Sequence, residues 1–147
     1  MSKVLGFDHV SILVKDAEKS LQFYQELLGL PRLERPQLGF PGYWLDLAQG
    51  QSLHIMQLEN PYTEVERPAH GGRDAHFALR VDSIEGFKTK LQQKRIAFTQ
   101  SRSGRKAIFI RDPDQNAFEL FEETFAREGS TAKNGQNFPY RCWKTWQ

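Results

Sequence analysis

The first half of the chain begins with a short run of alternating apolar and polar residues and continues with apolar residues at helical spacing. Every second residue from Val10 to Val14 is β-branched, which is typical of a strand with one buried face. Asp16 then has the position of a helix N-cap and Gly29 that of a C-terminal stop. The pattern predicts a strand over residues 9–14, a helix after Asp16, and shorter strands near residues 32–35, 43–48 and 52–58.

The second half repeats this order of elements. Residues 76–81 again have the pattern of a strand, and Asp82 and Ser83 are candidate N-caps for a second helix. A helical apolar stripe follows, and three further strands are predicted; the stripe is Ile84, Phe87, Leu91 and Ile96, and the strands are residues 98–101, 106–111 and 117–122. The repeat predicts an α+β fold of two strand–helix–three-strand (βαβββ) modules.

The boundaries of these modules follow from the composition between them. Module one covers about residues 5–60 and module two about residues 74–124, and residues 59–74 form a polar connector with Pro and Gly. We therefore expect a single domain over residues 1–124. Residues 125–147 form a C-terminal extension with glycines and an aromatic, basic end.

Four polar side chains lie on otherwise apolar predicted strands. His9 and His76 occupy the same position in the two modules, while His54 and Glu119 each lie on the last strand of their module. Because alternate residues of a strand share a face, all four should point away from the face that meets the helices. Two imidazoles and a carboxylate suit a divalent metal with open positions for a substrate. His54 is either a fourth ligand or a substrate contact.

Charge and cysteine content narrow the class of protein. The 147 residues carry a net charge of only +2, without a basic stripe of the kind that binds nucleic acid. No run approaches the ~18 apolar residues of a membrane span, and the N-terminus lacks the apolar core of a signal peptide. The single cysteine, Cys142, suits a reducing compartment. We expect a cytoplasmic protein that binds neither nucleic acid nor membrane.

The duplicated unit, with His9, His76 and Glu119 so placed, resembles the vicinal oxygen chelate (glyoxalase/bleomycin-resistance/dioxygenase) superfamily over roughly residues 5–123. Residues 53–58, 70–76 and 104–114 are similar to a glyoxalase-like single-domain subgroup. The resemblance implies two βαβββ modules that form a curled mixed sheet, an open cup around one divalent metal. It implies His9, His54, His76 and Glu119 as ligands, for Zn, Ni, Co, Mn or Fe. In the lactoylglutathione lyase branch a glutamate usually takes the position of His54.

The resemblance also implies a function and a partner. It suggests a metal-dependent glyoxalase-type lyase or isomerase that acts on a small α-oxygenated substrate, such as a hemithioacetal formed with glutathione or another thiol. Glu119 would be the base that moves the proton. Candidate substrate contacts are Arg80, Arg73, Arg105, His70 and Phe121. Family members often pair into homodimers, and the sequence leaves open whether the cup closes within one chain or across two.

Three other functions fit the same residues. A ring-cleaving dioxygenase uses two histidines and one carboxylate, although that branch commonly carries two module pairs per chain. An epoxide-opening thiol transferase uses a similar triad. The third alternative is a non-catalytic protein of the same fold that binds a small molecule among aromatic residues such as Tyr43, Trp44, Phe109 and Phe121.

Overall fold

The computed structural model describes residues 1–123, so the predicted C-terminal extension lies outside the described residues. Both modules contain one helix and four strands, in the predicted order. The elements of module one are β1 (His9–Val14), α1 (Ala17–Leu28), β2 (Arg32–Leu33), β3 (Gly42–Asp46) and β4 (Ser52–Gln57). A short 3₁₀ turn (Gly71–Arg73) precedes module two, which contains β5 (His76–Val81), α2 (Glu85–Gln93), β6 (Phe98–Gln100), β7 (Ala107–Arg111) and β8 (Ala117–Glu122).

Each module forms its own four-stranded mixed sheet, and the two sheets have the same topology. The strand orders are β1-β4-β3-β2 and β5-β8-β7-β6, with the first pair of each sheet parallel and the other pairs antiparallel. The registers agree as well. His54 lies opposite Ser11 and Trp44, and Glu119 lies opposite the corresponding Ala78 and Phe109. The α+β fold of two βαβββ modules is thus confirmed, and His54 and Glu119 are structural counterparts.

The two helices differ in how closely they follow the sequence pattern. Asp16 caps α1 by accepting a hydrogen bond from the backbone N–H of Lys19, and Gly29 ends it in the left-handed conformation, both as predicted. Helix α2 starts after a Ser83 hydroxyl that accepts from the Glu85 N–H at 3.3 Å. It ends at Gln93, and the left-handed backbone of Arg95 places Ile96 beyond the helix. The apolar stripe therefore predicted an end one turn too late.

One hydrophobic core serves both modules. The inner faces of the sheets and the two helices bury a single cluster, of which Val14, Tyr24, Leu27, Leu45, Leu53, Ile55, Leu91, Ile108, Phe118 and Leu120 are among the most buried members. Along β1 the predicted alternation is confirmed, because Ile12 and Val14 are buried whereas His9 and Ser11 are exposed. The polar candidates therefore lie on the sheet faces opposite the core. Within residues 1–123, no helix has the length and apolar character to cross a membrane.

A buried carboxylate joins the two modules. Asp112, in the turn between β7 and β8, is only 2% exposed and accepts a hydrogen bond from the hydroxyl of Tyr24 on α1 at 3.0 Å. Asn116 of the same turn donates both to Asp112 and to the carbonyl of Leu13 on β1. Burial raises the pKa of Asp112, although hydrogen bonds from Asn116 and Tyr24 oppose the increase. This turn therefore holds module two against both β1 and α1 of module one.

A second carboxylate fixes the start of β5. Asp74 accepts from the guanidinium groups of Arg67 in the connector and Arg111 on β7, each at 2.8 Å, and its side chain is 12% exposed. Burial alone would raise the pKa of Asp74. The hydrogen bonds from Arg111 and Arg67 and from the Ala75 backbone outweigh that effect and lower the pKa below its usual value.

Replacement of Tyr24 by Phe should lower the free energy of unfolding by roughly 1–3 kcal/mol, because a buried carboxylate loses a donor. Urea denaturation measures the change. The matched control is Tyr43→Phe, since the Tyr43 hydroxyl donates to Glu18 at the surface, and it should cost less than about 1 kcal/mol. Equal losses in the two variants would contradict a special role for the Tyr24–Asp112 contact.

Replacement of Asp74 by Asn should destabilise the protein at pH 7 by roughly 2–3 kcal/mol, between the values for exposed and buried ion pairs. The folded-state pKa of Asp74 is lowered, so its contribution is present above the unfolded pKa of about 3.9 and is lost as the pH falls through the folded value. Denaturation at several pH values should therefore show the difference from wild type shrinking below about pH 4. The exposed Asp82→Asn variant should show little difference at any pH, and a pH-independent loss in Asp74→Asn would refute the assignment.

Candidate metal and substrate site

The outer face of the module-one sheet brings His9 and His54 together. Strands β1 and β4 are parallel neighbours, and the two imidazole rings stack with centroids 4.2 Å apart and planes 13° from parallel. Nδ1 of His9 lies 2.6 Å from a carboxylate oxygen of Asp8. A histidine that binds a metal usually uses its other ring nitrogen in this way, which orients the ring. Nε2 of His9 is thus the nitrogen left for a ligand.

His54 is held between two other rings. Trp44 on β3 stacks on it with centroids 4.3 Å apart and planes 9° from parallel, while His9 stacks from the β1 side. Nε2 of His54 lies 2.9 Å from the hydroxyl of Ser52. Burial lowers the pKa of His54, and a positive charge on His9 would lower it further. His54 is therefore biased toward the neutral imidazole, the form that coordinates metals.

The outer face of the module-two sheet brings His76 and Glu119 together. Nε2 of His76 lies 3.6 Å from a carboxylate oxygen of Glu119, which is only 7% exposed. Nδ1 of His76 donates to the backbone carbonyl of Asp74 at 2.8 Å. Because a carbonyl only accepts, neutral His76 carries its lone pair on Nε2, the nitrogen that faces Glu119. Asp74, whose side chain Arg67 and Arg111 hold at the start of β5, thus also orients His76 through its backbone carbonyl.

His70 lies on the same side of module two. Phe109 meets the rings of His76 and His70 edge-on, at centroid distances of 5.3 Å and 4.9 Å. Nδ1 of His70 lies 2.7 Å from the hydroxyl of Thr99 on β6. A side chain at Gly72 would approach both His70 and Phe109 to 3.0 Å, so glycine at this position lets the connector pack closely against the site.

The other predicted substrate contacts have different surroundings. The guanidinium of Arg105 lies 4.0 Å from the ring centroid of Phe121, a cation–π contact on the face that carries Glu119. Arg80 pairs with Glu123 at 3.4 Å and donates to the side chain of Gln49 in module one. Arg73 ends the 3₁₀ turn and is exposed.

Each module supplies two donors, and the chain does not gather all four. Within residues 1–123, no three side chains of His, Cys, Asp or Glu lie close enough together to hold a metal ion. The donor types nevertheless fit a divalent metal, because three imidazoles and one carboxylate suit Zn, Fe, Mn, Ni or Co. The ring nitrogens that would not bind are hydrogen-bonded in His9 and His76. The two pairs therefore have the chemistry of two half-sites.

The sequence pattern does not indicate Arg35, a cation on the module-one face. Arg35 follows β2 in a loop, where side-chain direction has no periodicity to reveal it. Nη2 of its guanidinium donates to the Phe40 carbonyl at 3.1 Å, and the group lies 4.8 Å from the Phe40 ring centroid. The group also lies close to Gly42 of β3, since a Cβ atom built there would be 3.4 Å from its Nε and Nη2.

Comparisons with known proteins agree with this fold. "Glyoxylase I 4" of Arabidopsis thaliana is 28% identical over 121 residues, which cover 78% of this chain and 69% of that protein. Metallothiol transferase FosB of Lysinibacillus sphaericus is 24% identical, over 82% of this chain and 84% of its own length. Relatives with different activities thus match at similar identity, so these matches do not specify one reaction.

Comparison with solved structures also finds proteins of the glyoxalase type. A glyoxalase family protein from Bacillus anthracis superposes with a TM-score of 0.66 at 26% identity, over 84% of this chain and 98% of the other. A sequence model of the Glyoxalase/Bleomycin resistance protein/Dioxygenase superfamily matches residues 6–120. The chain therefore belongs to the glyoxalase/bleomycin resistance protein/dioxygenase superfamily.

Proposed function

We propose that this protein is a divalent-metal-dependent lyase or isomerase of the glyoxalase type that acts on a small α-oxygenated substrate. A hemithioacetal formed with glutathione or another thiol is the substrate we favour. The observation that carries the proposal is the pair of matched half-sites, His9 with His54 and His76 with Glu119, on the outer faces of two equivalent sheets. The single Cys142 fits a reducing cytoplasm as the place of action.

The complete site forms between two chains of a homodimer in this proposal. The shared core and the Asp112 network fix the two modules of one chain relative to each other. A rearrangement that joined both half-sites within one chain would have to break those contacts. A second copy can instead place its module-two pair against the module-one pair of the first, and a twofold axis then creates two equivalent sites.

A divalent metal held by His9, His54, His76 and Glu119 would supply Lewis acidity, which polarises substrate oxygens and acidifies the neighbouring C–H. Glu119 removes that proton and returns it to the next carbon, which is the step that defines an isomerase or lyase of this type. Its low exposure keeps bulk water from the carboxylate. His76 stays in place through its hydrogen bond to Asp74 while Glu119 moves the proton.

His54 distinguishes this site from one with two carboxylates. A second carboxylate would add negative charge and a second base, whereas a neutral imidazole adds neither. Ser52 and the two stacked rings hold His54 in a fixed orientation. We therefore assign all proton transfer to Glu119 and give His54 the role of a ligand.

The residues around the half-sites provide the proposed substrate contacts. Arg105, held over Phe121, and the exposed Arg73 can meet the carboxylates of a thiol such as glutathione. Arg80 is less available because Glu123 and Gln49 already engage it. His70 borders the site beside Phe109 and can donate to a substrate oxygen.

Metal content tests the proposal first. Wild-type protein purified without chelators should contain about one divalent metal per chain, and the double variant His76→Ala/Glu119→Ala should contain almost none, because it loses one half-site completely. Elemental analysis by mass spectrometry measures both. The control His70→Ala removes a histidine from the same face and should keep the metal, since His70 is a substrate contact in this account.

Turnover of hemithioacetals separates the proposed reaction from its alternatives. Methylglyoxal mixed with glutathione or a smaller thiol should be consumed by the wild type and not by the double variant. Wild-type protein that holds no metal after incubation with Zn²⁺, Ni²⁺ or Mn²⁺ would refute the catalytic assignment and leave a binding protein. Metal without turnover would contradict the glyoxalase chemistry and favour ring cleavage or thiol transfer.

A further inference from the structure

We propose that Arg35 binds an anionic group of the substrate, a carboxylate or a phosphate, on the module-one face beside the metal site. This inference rests on the proposed function and specifies the class of substrate. Arg35 is not one of the four predicted ligands. Its proposed role follows from where its guanidinium lies, what holds that group and which charges surround it.

The guanidinium lies on the same sheet face as His54. Alternate residues of β3 share a face, so Gly42 and Trp44 both point to the side on which Trp44 stacks against His54. A Cβ atom built on Gly42 would lie 3.4 Å from both Nε and Nη2 of Arg35. That distance is an ordinary contact, whereas the same Cβ atom would collide with the carbonyl oxygen of Ile55 at 2.3 Å. The guanidinium therefore packs beside Gly42, two residues along β3 from Trp44.

Two contacts hold the guanidinium in place before any ligand binds. Phe40 supplies a ring 4.8 Å from the guanidinium carbon and a carbonyl that accepts from Nη2 at 3.1 Å. These contacts use one face and one N–H of the group, so further N–H donors remain to form the paired bonds that a carboxylate or phosphate accepts. Because the cation is already ordered, binding loses less side-chain entropy than it would with a free arginine.

The charge of Arg35 is not neutralised nearby. Within residues 1–123, no carboxylate lies within 4.0 Å of its guanidinium, although Glu34 is adjacent in sequence. Arg32 lies on the opposite face, over the ring of Tyr43.

Space for a ligand adjoins the guanidinium. Residues 32–35 and 39–43 line a broad depression of about 920 Å³ that includes Arg35, Phe40 and Gly42. Two residues along a strand span ~7 Å, which is the approximate separation of the Gly42 and Trp44–His54 positions. A substrate that fits would carry its vicinal oxygens at the metal and an oxyanion a few bonds farther along.

Three probes that share an α-hydroxy ketone test this arrangement on the full-length protein with the metal it retains. Dihydroxyacetone phosphate carries a phosphate beyond an α-hydroxy ketone, 5-hydroxylevulinate carries a carboxylate there, and hydroxyacetone is uncharged. Calorimetric titration should show that Arg35→Gln lowers the affinity for at least one of the two anionic probes by roughly tenfold or more. The affinity for hydroxyacetone should not change. The anion that loses more affinity identifies the class of oxyanion.

The matched control is Arg95→Gln, which removes the same charge at an exposed position just beyond α2, outside the residues that line the depression. It should change the affinity for either anion less than twofold. Arg35→Lys keeps the charge and should recover only part of the affinity, because an ammonium cannot form the paired bonds of a guanidinium. Equal weakening by Arg35→Gln and Arg95→Gln would overturn the inference and indicate only a general effect of charge.

A second readout does not depend on the metal. The side-chain Nε–H resonance of Arg35, assigned by its loss in Arg35→Lys, should shift on titration with the anionic probes and not with hydroxyacetone. A resonance that does not move with either anion would overturn the inference. Metal analysis of the same samples separates the two proposals. If the metal content is normal and Arg35→Gln binds both anions as the wild type does, only the role of Arg35 is rejected. If the metal is absent, the catalytic site is rejected.

Discussion

The contacts of the buried Asp112 carboxylate fix how the two modules are arranged relative to each other. One short turn of module two accepts a hydrogen bond from Tyr24 on α1 and donates one to β1, so the two duplicated units cannot shift against each other independently. The single core that both modules share adds to this constraint. This arrangement keeps the Asp112 carboxylate from water, and that burial raises its pKa. A rigid pair of modules is the result.

Rigid modules make the separation of the half-sites informative. Each sheet presents two metal donors on its outer face, but residues 1–123 nowhere bring three such groups together. If the modules were loosely joined, a metal could draw the pairs together within one chain. Because the Asp112 network and the shared core fix the two modules relative to each other, a second copy of the chain is the simpler source of the missing donors. The interaction that stabilises the fold thus also accounts for the proposed dimer.

The sequence predicted the fold well because its signals were local and repeated. Alternation in residues 9–14 and 76–81 placed β1 and β5 to the residue, and Asp16 and Gly29 placed the ends of α1. The end of α2 was predicted one turn late, since a stripe that includes Ile96 cannot reveal the left-handed backbone of Arg95. Hydrophobic periodicity reports which residues face the core, and it carries no information on backbone conformation at a helix end.

The candidate site could be predicted only in part, because sequence periodicity indicates strand positions but neither side-chain packing nor loop conformation. Strand position indicated His9, His54, His76 and Glu119, and the registers place them as counterparts on matching faces. The stacking of Trp44 on His54 depends on side-chain packing across strands, which spacing does not specify. Arg35 lies in a loop, and contacts with Phe40 and Gly42 set the position of its guanidinium. Loop side chains are set by tertiary contacts, so sequence periodicity could not indicate this cation.

The central claim is that one site uses module one of one chain and module two of another, and a heterodimer tests it most directly. A His9→Ala/His54→Ala chain and a His76→Ala/Glu119→Ala chain, co-expressed with different tags and purified through both, would each lack one complete half-site in a different module. In a site shared between chains, one of the two sites in this heterodimer keeps all its ligands. The account predicts about one metal per heterodimer, with almost none in either parent homodimer. A heterodimer as empty as its parents, or a wild-type protein that stays monomeric while it holds one metal per chain, would contradict the account.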